Sequence, residues 1–371
     1  MKVDSKKLKN LLIIFLLLVV GVLIFNSKGS DLKEDKIKLN NSEAKLKLVK
    51  DVTAELELEE YSNSDFSMKK PKGWKVQAAG SGVYYAIRVV DANNTNNGLF
   101  LMLKMQPFLK SEEAKNFWKS YYQMSNYNSQ YKLFAEAVVL NSPTVECFYQ
   151  KFGEITGYLN AIEPTLASFS FPEYAGFTKE EELDSNASMK SYALDSKVLR
   201  GTFKGESGVD GEGLFMASIV NFGDNYMGNV DTAYYMVYDI VSVTSTKGDF
   251  INYKDILLEA VNSIEFSNSY VNKTIDDSNA QTKQALEINR SVQQAFDSYM
   301  SAWENRNKSY DIMSQKQSDA TLGYERVYDV DTGDIYKAYN GFSDDYDGKK
   351  YQSVTDDMYT ERTSGYIEKV N

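Results

Sequence analysis

GVYYAIRVVDANNTNNGLFLMLKM, residues 82–105, decides the fold class. Two short apolar stretches, 83–90 and 99–105, are rich in the Val, Ile, Tyr and Phe that suit a pleated surface, and the Asn, Thr and Gly of 93–98 separate them as a turn. Upstream, 66–68 and 74–76 read as further strands broken by Pro71-Lys72-Gly73, and the alternation of Leu46 and Leu48, then of Ala54, Leu56 and Leu58, has the period of a half-buried strand. Downstream the period changes. Ser111-Glu112-Glu113 offers a helix N-cap with acids in the first turn, and Ala114, Phe117, Trp118 and Tyr121 recur at helical spacing. A second helix opens at Ser142-Pro143 and carries Val145, Phe148, Tyr149 and Phe152. Strands return over 189–203, 213–222 and 233–244, and a helix over 253–261 runs into Ser263-Ile264-Glu265-Phe266. Strands and helices in this proportion define an α+β chain.

The opening Asp65-Phe66-Ser67-Met68-x-x-Pro71-x-Gly73-Trp74-x-Val76 and the closing Ile256-Leu257-x-x-Ala260-Val261-x-Ser263-Ile264-x-Phe266 resemble the two ends of PsbP-like domains. The resemblance implies an antiparallel β-sheet covered by helices over about residues 50–267, and a scaffold used for docking and binding more than for catalysis. The stretch 171–188 departs from the compact form of that family.

The amino-terminal part bears on location. Lys2, Lys6, Lys7 and Lys9 precede an apolar run over 11–25, which at ~1.5 Å per residue spans roughly 22 Å. This is expected to be one transmembrane helix, with the amino terminus cytoplasmic and the body extracytoplasmic; cleavage after the run is the alternative. Residues 1–26 are thus stub and anchor, 27–45 a solvated linker, 46–267 the PsbP-like domain and 268–371 a carboxy-terminal module. In that module Ile288, Val292, Ala295, Tyr299 and Ala302 repeat at three-four spacing, an amphipathic helix with a face to bury. The preceding domain or a second copy could cover it. Beyond it, 325–336 reads as a β-hairpin around Asp331-Thr332-Gly333. With Trp303-Glu304-x-Arg306-Asn307 and Asp311-Ile312, the segment from about 300 to 371 is similar to a module recurring in uncharacterised bacterial envelope proteins.

The chain contains no histidine, which removes imidazole general bases and the commonest zinc ligand. It lacks a phosphate-cradling Gly-rich loop, and its one cysteine, Cys147, has no internal disulfide partner and reads as an inert thiol on an apolar helix face. A formal charge of -11 opposes nucleic-acid binding. Two binding signals remain. Asp329, Asp331 and Asp334 crowd the hairpin in a pattern that can gather oxygen ligands for calcium, although the spacing misses a twelve-residue calcium loop. Tyr328, Tyr336 and Tyr339 could form part of a docking platform for a glycan or a protein, or could pack the module's strands. The expectation is a noncatalytic binding or assembly component of the cell envelope, with no cofactor and with calcium at the hairpin as the alternative to solvated turn acids, partnered by the membrane and by an envelope protein or glycan. The alternative is an envelope hydrolase that cleaves a glycan with a carboxylate pair.

Overall fold

The computed structural model of the chain describes residues 36–39, 42–50, 56–185, 187–276 and 308–370. The apolar run at 11–25 and the stripe at 285–303 lie outside the described residues, and among the described residues no helix is long and apolar enough to cross a membrane. The chain is α+β and divides into two units, Val52–Ser318 with Thr355–Thr363, and Met1–Asp51 with Asp319–Val354 and Ser364–Asn371.

In chain order the strands are β1 (Lys36–Leu39), β2 (Ser42–Lys50), β3 (Leu58–Ser62), β4 (Phe66–Pro71), β5 (Lys75–Ser81), β6 (Tyr84–Val90), β7 (Gly98–Leu109), β8 (Val138–Val139), β9 (Ala175–Asp184), β10 (Ala193–Lys204), β11 (Asp210–Asn221), β12 (Tyr226–Met227), β13 (Val230–Asp231), β14 (Tyr234–Thr246), β15 (Glu265–Phe266), β16 (Tyr324–Asp329), β17 (Ile335–Tyr339), β18 (Tyr351–Ser353) and β19 (Gly365–Val370). The helices are α1 (Glu112–Met124), α2 (Ser129–Glu136), α3 (Val145–Gln150), α4 (Phe152–Ile162), α5 (Phe250–Asn262), α6 (Asn268–Asp276), α7 (Lys308–Leu322) and α8 (Phe342–Asp345).

The first unit is built on an antiparallel sheet in the order β5-β6-β7-β14-β11-β10-β9, with β8 parallel to the end of β7. Both faces are buried, which is why β7 reads over residues 98–103 as an apolar run instead of an alternating one. Phe100 and Met102 join one core, with Phe148, Tyr149, Phe152 and Ile155 from α3 and α4. Leu99, Leu101 and Leu103 join a second core, with Leu257, Ala260 and Val261 from α5. Burying each of these Leu, Ile, Val, Met and Phe side chains stabilises the fold by about 1.5–3 kcal/mol.

The segments 65–76 and 256–266 meet at a small sheet of order β15-β4-β3. Phe66 lies opposite Phe266, their rings 6.4 Å apart, and the Lys69 N–H donates to Ser263 Oγ at 2.7 Å. Trp74, after the turn at Gly73, packs on Tyr253 of α5 at 6.1 Å. Some boundaries differ from the expected ones. The helix expected from Ser142-Pro143 begins at Val145, where Thr144 Oγ1 accepts from the Cys147 N–H, and it breaks at Lys151 before continuing as α4. The 171–188 stretch supplies the edge strand β9, and the strand expected from Met189 starts only at Ala193, after a single 3-10 turn.

The second unit holds a sheet in the order β1-β2-β19-β17-β16-β18, with β17 and β19 parallel and the other pairs antiparallel. Residues 36–39 and 42–45, within the stretch expected as solvated linker, instead supply β1 and the start of β2, paired from Lys36 opposite Lys45 to Leu39 opposite Ser42. The alternation at Leu46 and Leu48 does make a strand, but its partner is β19, with Leu48 opposite Ile367. Periodicity identifies a strand and not the strand it pairs with, so the boundary drawn at 46 cuts β2 in two. Leu46, Val327, Tyr336, Ala338, Phe342, Tyr351 and Ile367 form this unit's core. Beside it Asp319, at the end of α7, accepts from Arg326 Nε at 2.6 Å and lies 3.3 Å from Lys337 Nζ.

Candidate functional site

The β16–β17 hairpin forms as expected, with Gly333 at φ 79° supplying the left-handed turn residue. Its carboxylates close the turn. Asp329 Oδ1 accepts the Asp331 N–H at 3.0 Å, and Asp334 Oδ2 accepts the Thr332 hydroxyl at 2.9 Å. Asp334 Oδ1 accepts the Ser364 hydroxyl at 3.2 Å, and Lys350 Nζ stands 3.6 Å from Asp329 Oδ2. Among the described residues no group of three or more Asp, Glu or Cys is placed to hold a metal ion.

The three tyrosines separate. Tyr336 is 4% exposed and part of the second core, so it is not a docking residue: its ring fills the space beside Tyr351, and its hydroxyl donates to Asp334. Tyr328 and Tyr339 are half-buried, and their hydroxyls donate to Gln352 and Asp345. Burial and the Asp345 carboxylate push the Tyr339 phenol up to about 12. Cys147 is half-buried against the first core, and its thiol donates to Asn141 Oδ1 at 3.8 Å.

A run of half-buried and exposed rings lies in the first unit, on two successive helices and on a segment about ninety residues further along the chain. Ser111 Oγ accepts from the Ala114 N–H and starts α1, and Asn128 Oδ1 does the same for the Gln130 N–H at the start of α2. Between the helices Asn126 and Tyr127 both sit at φ 59°, a conformation that costs a bulky residue of order 1–3 kcal/mol. On these helices Tyr121 meets Tyr131 at 4.8 Å, and Trp118 stacks on Phe134 at 4.6 Å. Phe134 then meets Tyr234 at 5.6 Å, and Tyr234 stacks on Phe222 at 4.7 Å with the rings 12° from parallel.

The β12–β13 hairpin is tied to this ribbon. Trp118 Nε1 donates to the Thr232 carbonyl at 3.0 Å, and Lys110 Nζ donates to the Gly223 carbonyl, Asp224 and Asp231 at 2.7, 2.9 and 2.6 Å. Burial would raise the Asp231 carboxyl, but the Asn225 N–H, Lys110 and the Ala233 N–H hold it below the usual carboxylate range. Held this way, Met124 (80% exposed), Tyr127 (65%), Phe222 (58%) and Tyr226 (66%) project into solvent, with Met227 beside Tyr226.

Two other places bear on chemistry. A recess of about 530 Å³ opens between α4 and residues 167–173, floored by Gly153 and Gly157, where an added Cβ would meet nothing within 4 Å. Asn160 Oδ1 is buried there without a partner, and the recess has one carboxylate, Glu173. Glycoside cleavage by a carboxylate pair needs two facing acids. Elsewhere, burial raises the carboxyl of Asp239, but its surroundings are hydroxyl and amide donors: Ser218 at 2.8 Å, Ser188 at 2.9 Å and the Met189 N–H at 3.2 Å.

The aromatic ribbon was not legible in the sequence. Phe117, Trp118 and Tyr121 showed as a helix face, but nothing in their spacing pointed to Phe222 or Tyr234. No protein-family model matches the chain, and no curated protein matches it.

Proposed function

We propose that the chain is a membrane-anchored, extracytoplasmic, noncatalytic component of a cell envelope that docks a protein partner on the aromatic ribbon of α1, α2 and the β12–β13 hairpin. The observation that carries the docking reading is a set of large apolar side chains turned to solvent on elements held by Trp118 and Lys110. Exposed aromatic and Met side chains on rigid supports are what protein interfaces concentrate at their centres. A protein suits this surface better than a glycan because Met124, Phe222 and Met227 have no groups to hydrogen-bond sugar hydroxyls, whereas thioethers adapt to apolar partners. The location rests on the lysines that precede the apolar run at 11–25, and a docking role agrees with the PsbP-like resemblance.

A photo-crosslinking residue placed at 127 or 226 in intact cells should trap a defined protein. Phe222→Ser combined with Met124→Ser should abolish that adduct, and a crosslinker at the remote position 204 should not form it. Equal adducts from 127 and 204, or adducts indifferent to the double substitution, would remove the ribbon as the docking surface. Protease added to wall-stripped cells tests the location separately, because an extracytoplasmic body is digested.

A further inference from the structure

The chain holds two Asn-Gly dipeptides, and the fold treats them in opposite ways. Asn97 is 3% exposed, its Oδ1 accepts the Thr246 N–H at 3.3 Å, and Gly98 is paired in β7 between Val90 and Thr244. Asn340 follows β17 directly and is exposed. Its main-chain N–H donates to the Gly323 carbonyl at 2.9 Å, while its side chain has no hydrogen-bond partner among the described residues. Gly341 holds φ 89°, and its carbonyl accepts the Asp344 and Asp345 N–H groups at 3.2 and 3.1 Å. Its own N–H donates to nothing among the described residues.

A side-chain amide is open to attack by the next main-chain nitrogen where the amide is untethered, the nitrogen is not committed to a hydrogen bond, and no Cβ on the following residue stands in the way. Asn340-Gly341 meets all of these conditions, whereas the Asn97 amide is enclosed and tethered to Thr246. An added Cβ at position 341 would meet nothing within 4 Å, so crowding does not select glycine there; the left-handed φ does. The turn that carries β17 into α8 therefore itself demands the residue that leaves Asn340 unshielded.

We propose that Asn340 is a self-modification site, where the chain converts the asparagine to an isoaspartyl or aspartyl residue through a cyclic imide. The Gly341 nitrogen attacks Asn340 Cγ and a new nitrogen–carbon bond forms. The Gly341 N–H proton passes to the side-chain nitrogen, the bond from Cγ to that nitrogen breaks, and ammonia leaves. Water then opens the imide. Attack at the main-chain carbonyl sends the chain through the side chain and leaves an isoaspartyl residue; attack at Cγ leaves aspartate. Nothing is oxidised or reduced, and solvent water is the sole co-reactant. The isoaspartyl form inserts one extra carbon into the main chain just before Phe342, a fully buried residue of the second core whose ring stacks on Tyr346 at 5.0 Å. Both products add a negative charge at a corner that already carries Glu325, which accepts the Ser343 N–H, and Asp344 and Asp345. Modification thus loosens the second core in aged copies. The assignment does not depend on the docking surface.

The test ages the full chain in mildly alkaline buffer and maps its Asn-containing peptides by mass spectrometry, with an isoaspartyl-specific methyltransferase as the probe for the isoaspartyl form. Asn340 should convert at least about tenfold faster than Asn97, which reacts only after local opening. Conversion of Asn340 no faster than that of Asn97 overturns the proposal, and because both sites are read in one unmodified protein, no variant has to fold. The consequence is read by limited proteolysis of the same aged samples beside Asn340→Gln. Cleavage within 324–370 should rise with the modified fraction in the parent and stay level in the variant. Modification without a gain in cleavage, or an equal gain in the variant, overturns the loosening of the core.

Discussion

Arg326 and Lys337 face each other across the β16–β17 hairpin and converge on one carboxylate, that of Asp319. All three side chains are withdrawn from water, with Asp319 1% and Arg326 2% exposed. Taking two cations and one acid into a low dielectric is costly, and the arrangement holds only while the acid is present. Asp319→Asn should therefore destabilise the second unit by about 3–5 kcal/mol, because it removes the buried carboxylate that the two cations share. Asp356→Asn, which breaks the exposed pair with Lys316, should cost under ~1 kcal/mol. Urea unfolding followed by fluorescence and limited proteolysis would distinguish them, and equal effects would contradict the buried geometry.

Asp239 predicts a pH dependence. Its carboxyl is raised by burial, against the pull of the Ser218, Ser188 and Met189 donors. An acid whose folded value lies above its unfolded value contributes fully below the unfolded value, and that contribution is lost as pH rises through the folded one. Relative to Asp239→Asn, the parent should lose stability as pH climbs from about 4. Urea midpoints measured for both proteins from pH 4 to 8 check this; a constant difference would mean that the folded and unfolded carboxyls titrate alike.

Lys104 predicts the opposite slope for a base. Its folded value is lowered to about 8, so between there and the ordinary lysine value of 10.5 the unfolded chain binds more protons and stability rises with pH. Lys104→Met should melt above the parent at pH 7, with the gap closing as pH approaches 10.5. A gap that stays constant would place the amine in water.

Tyr336 lies opposite Val327 in the hairpin and Tyr328 opposite Ile335, and the two tyrosines differ in burial. Tyr336→Ala should cost about 3–5 kcal/mol, as expected for an enclosed aromatic side chain, and Tyr328→Ala much less. Similar losses in denaturant unfolding would return Tyr336 to the surface.

Calcium at millimolar concentration should leave the melting temperature unchanged, since the hairpin carboxylates already accept from the Asp331 N–H and from the Thr332 and Ser364 hydroxyls. A rise abolished by a triple Asn substitution at Asp329, Asp331 and Asp334 would show that they converge on the ion.

What the sequence made legible was local. The cap at Ser111, the strand at 84–90 and the turn at Gly333 each depend on residues within a few positions, and short-range propensity resolves them. Partnership was not legible. The stretch 171–188, read only as a departure from the compact form, holds β9, the edge strand beside β10, where outward positions stay polar. The ribbon's rings come from α1, α2, β14 and the Phe222 turn, and no single window contains them. Lys104 did leave a trace, a cation inside an otherwise apolar strand, but its distinguishing property is the carboxylate that is absent from its side among the described residues.

β19 sits between β2 and β17, antiparallel to one and parallel to the other. A chain cut short before Gly365 would leave β2 with no partner on that side and an unfilled slot against β17. During synthesis β2 must wait, with one edge unpaired, until residues 51–364 have followed it. The second unit thus reports on the presence of β19: a copy without it displays two raw strand edges to proteases and chaperones, and a copy with it hides them.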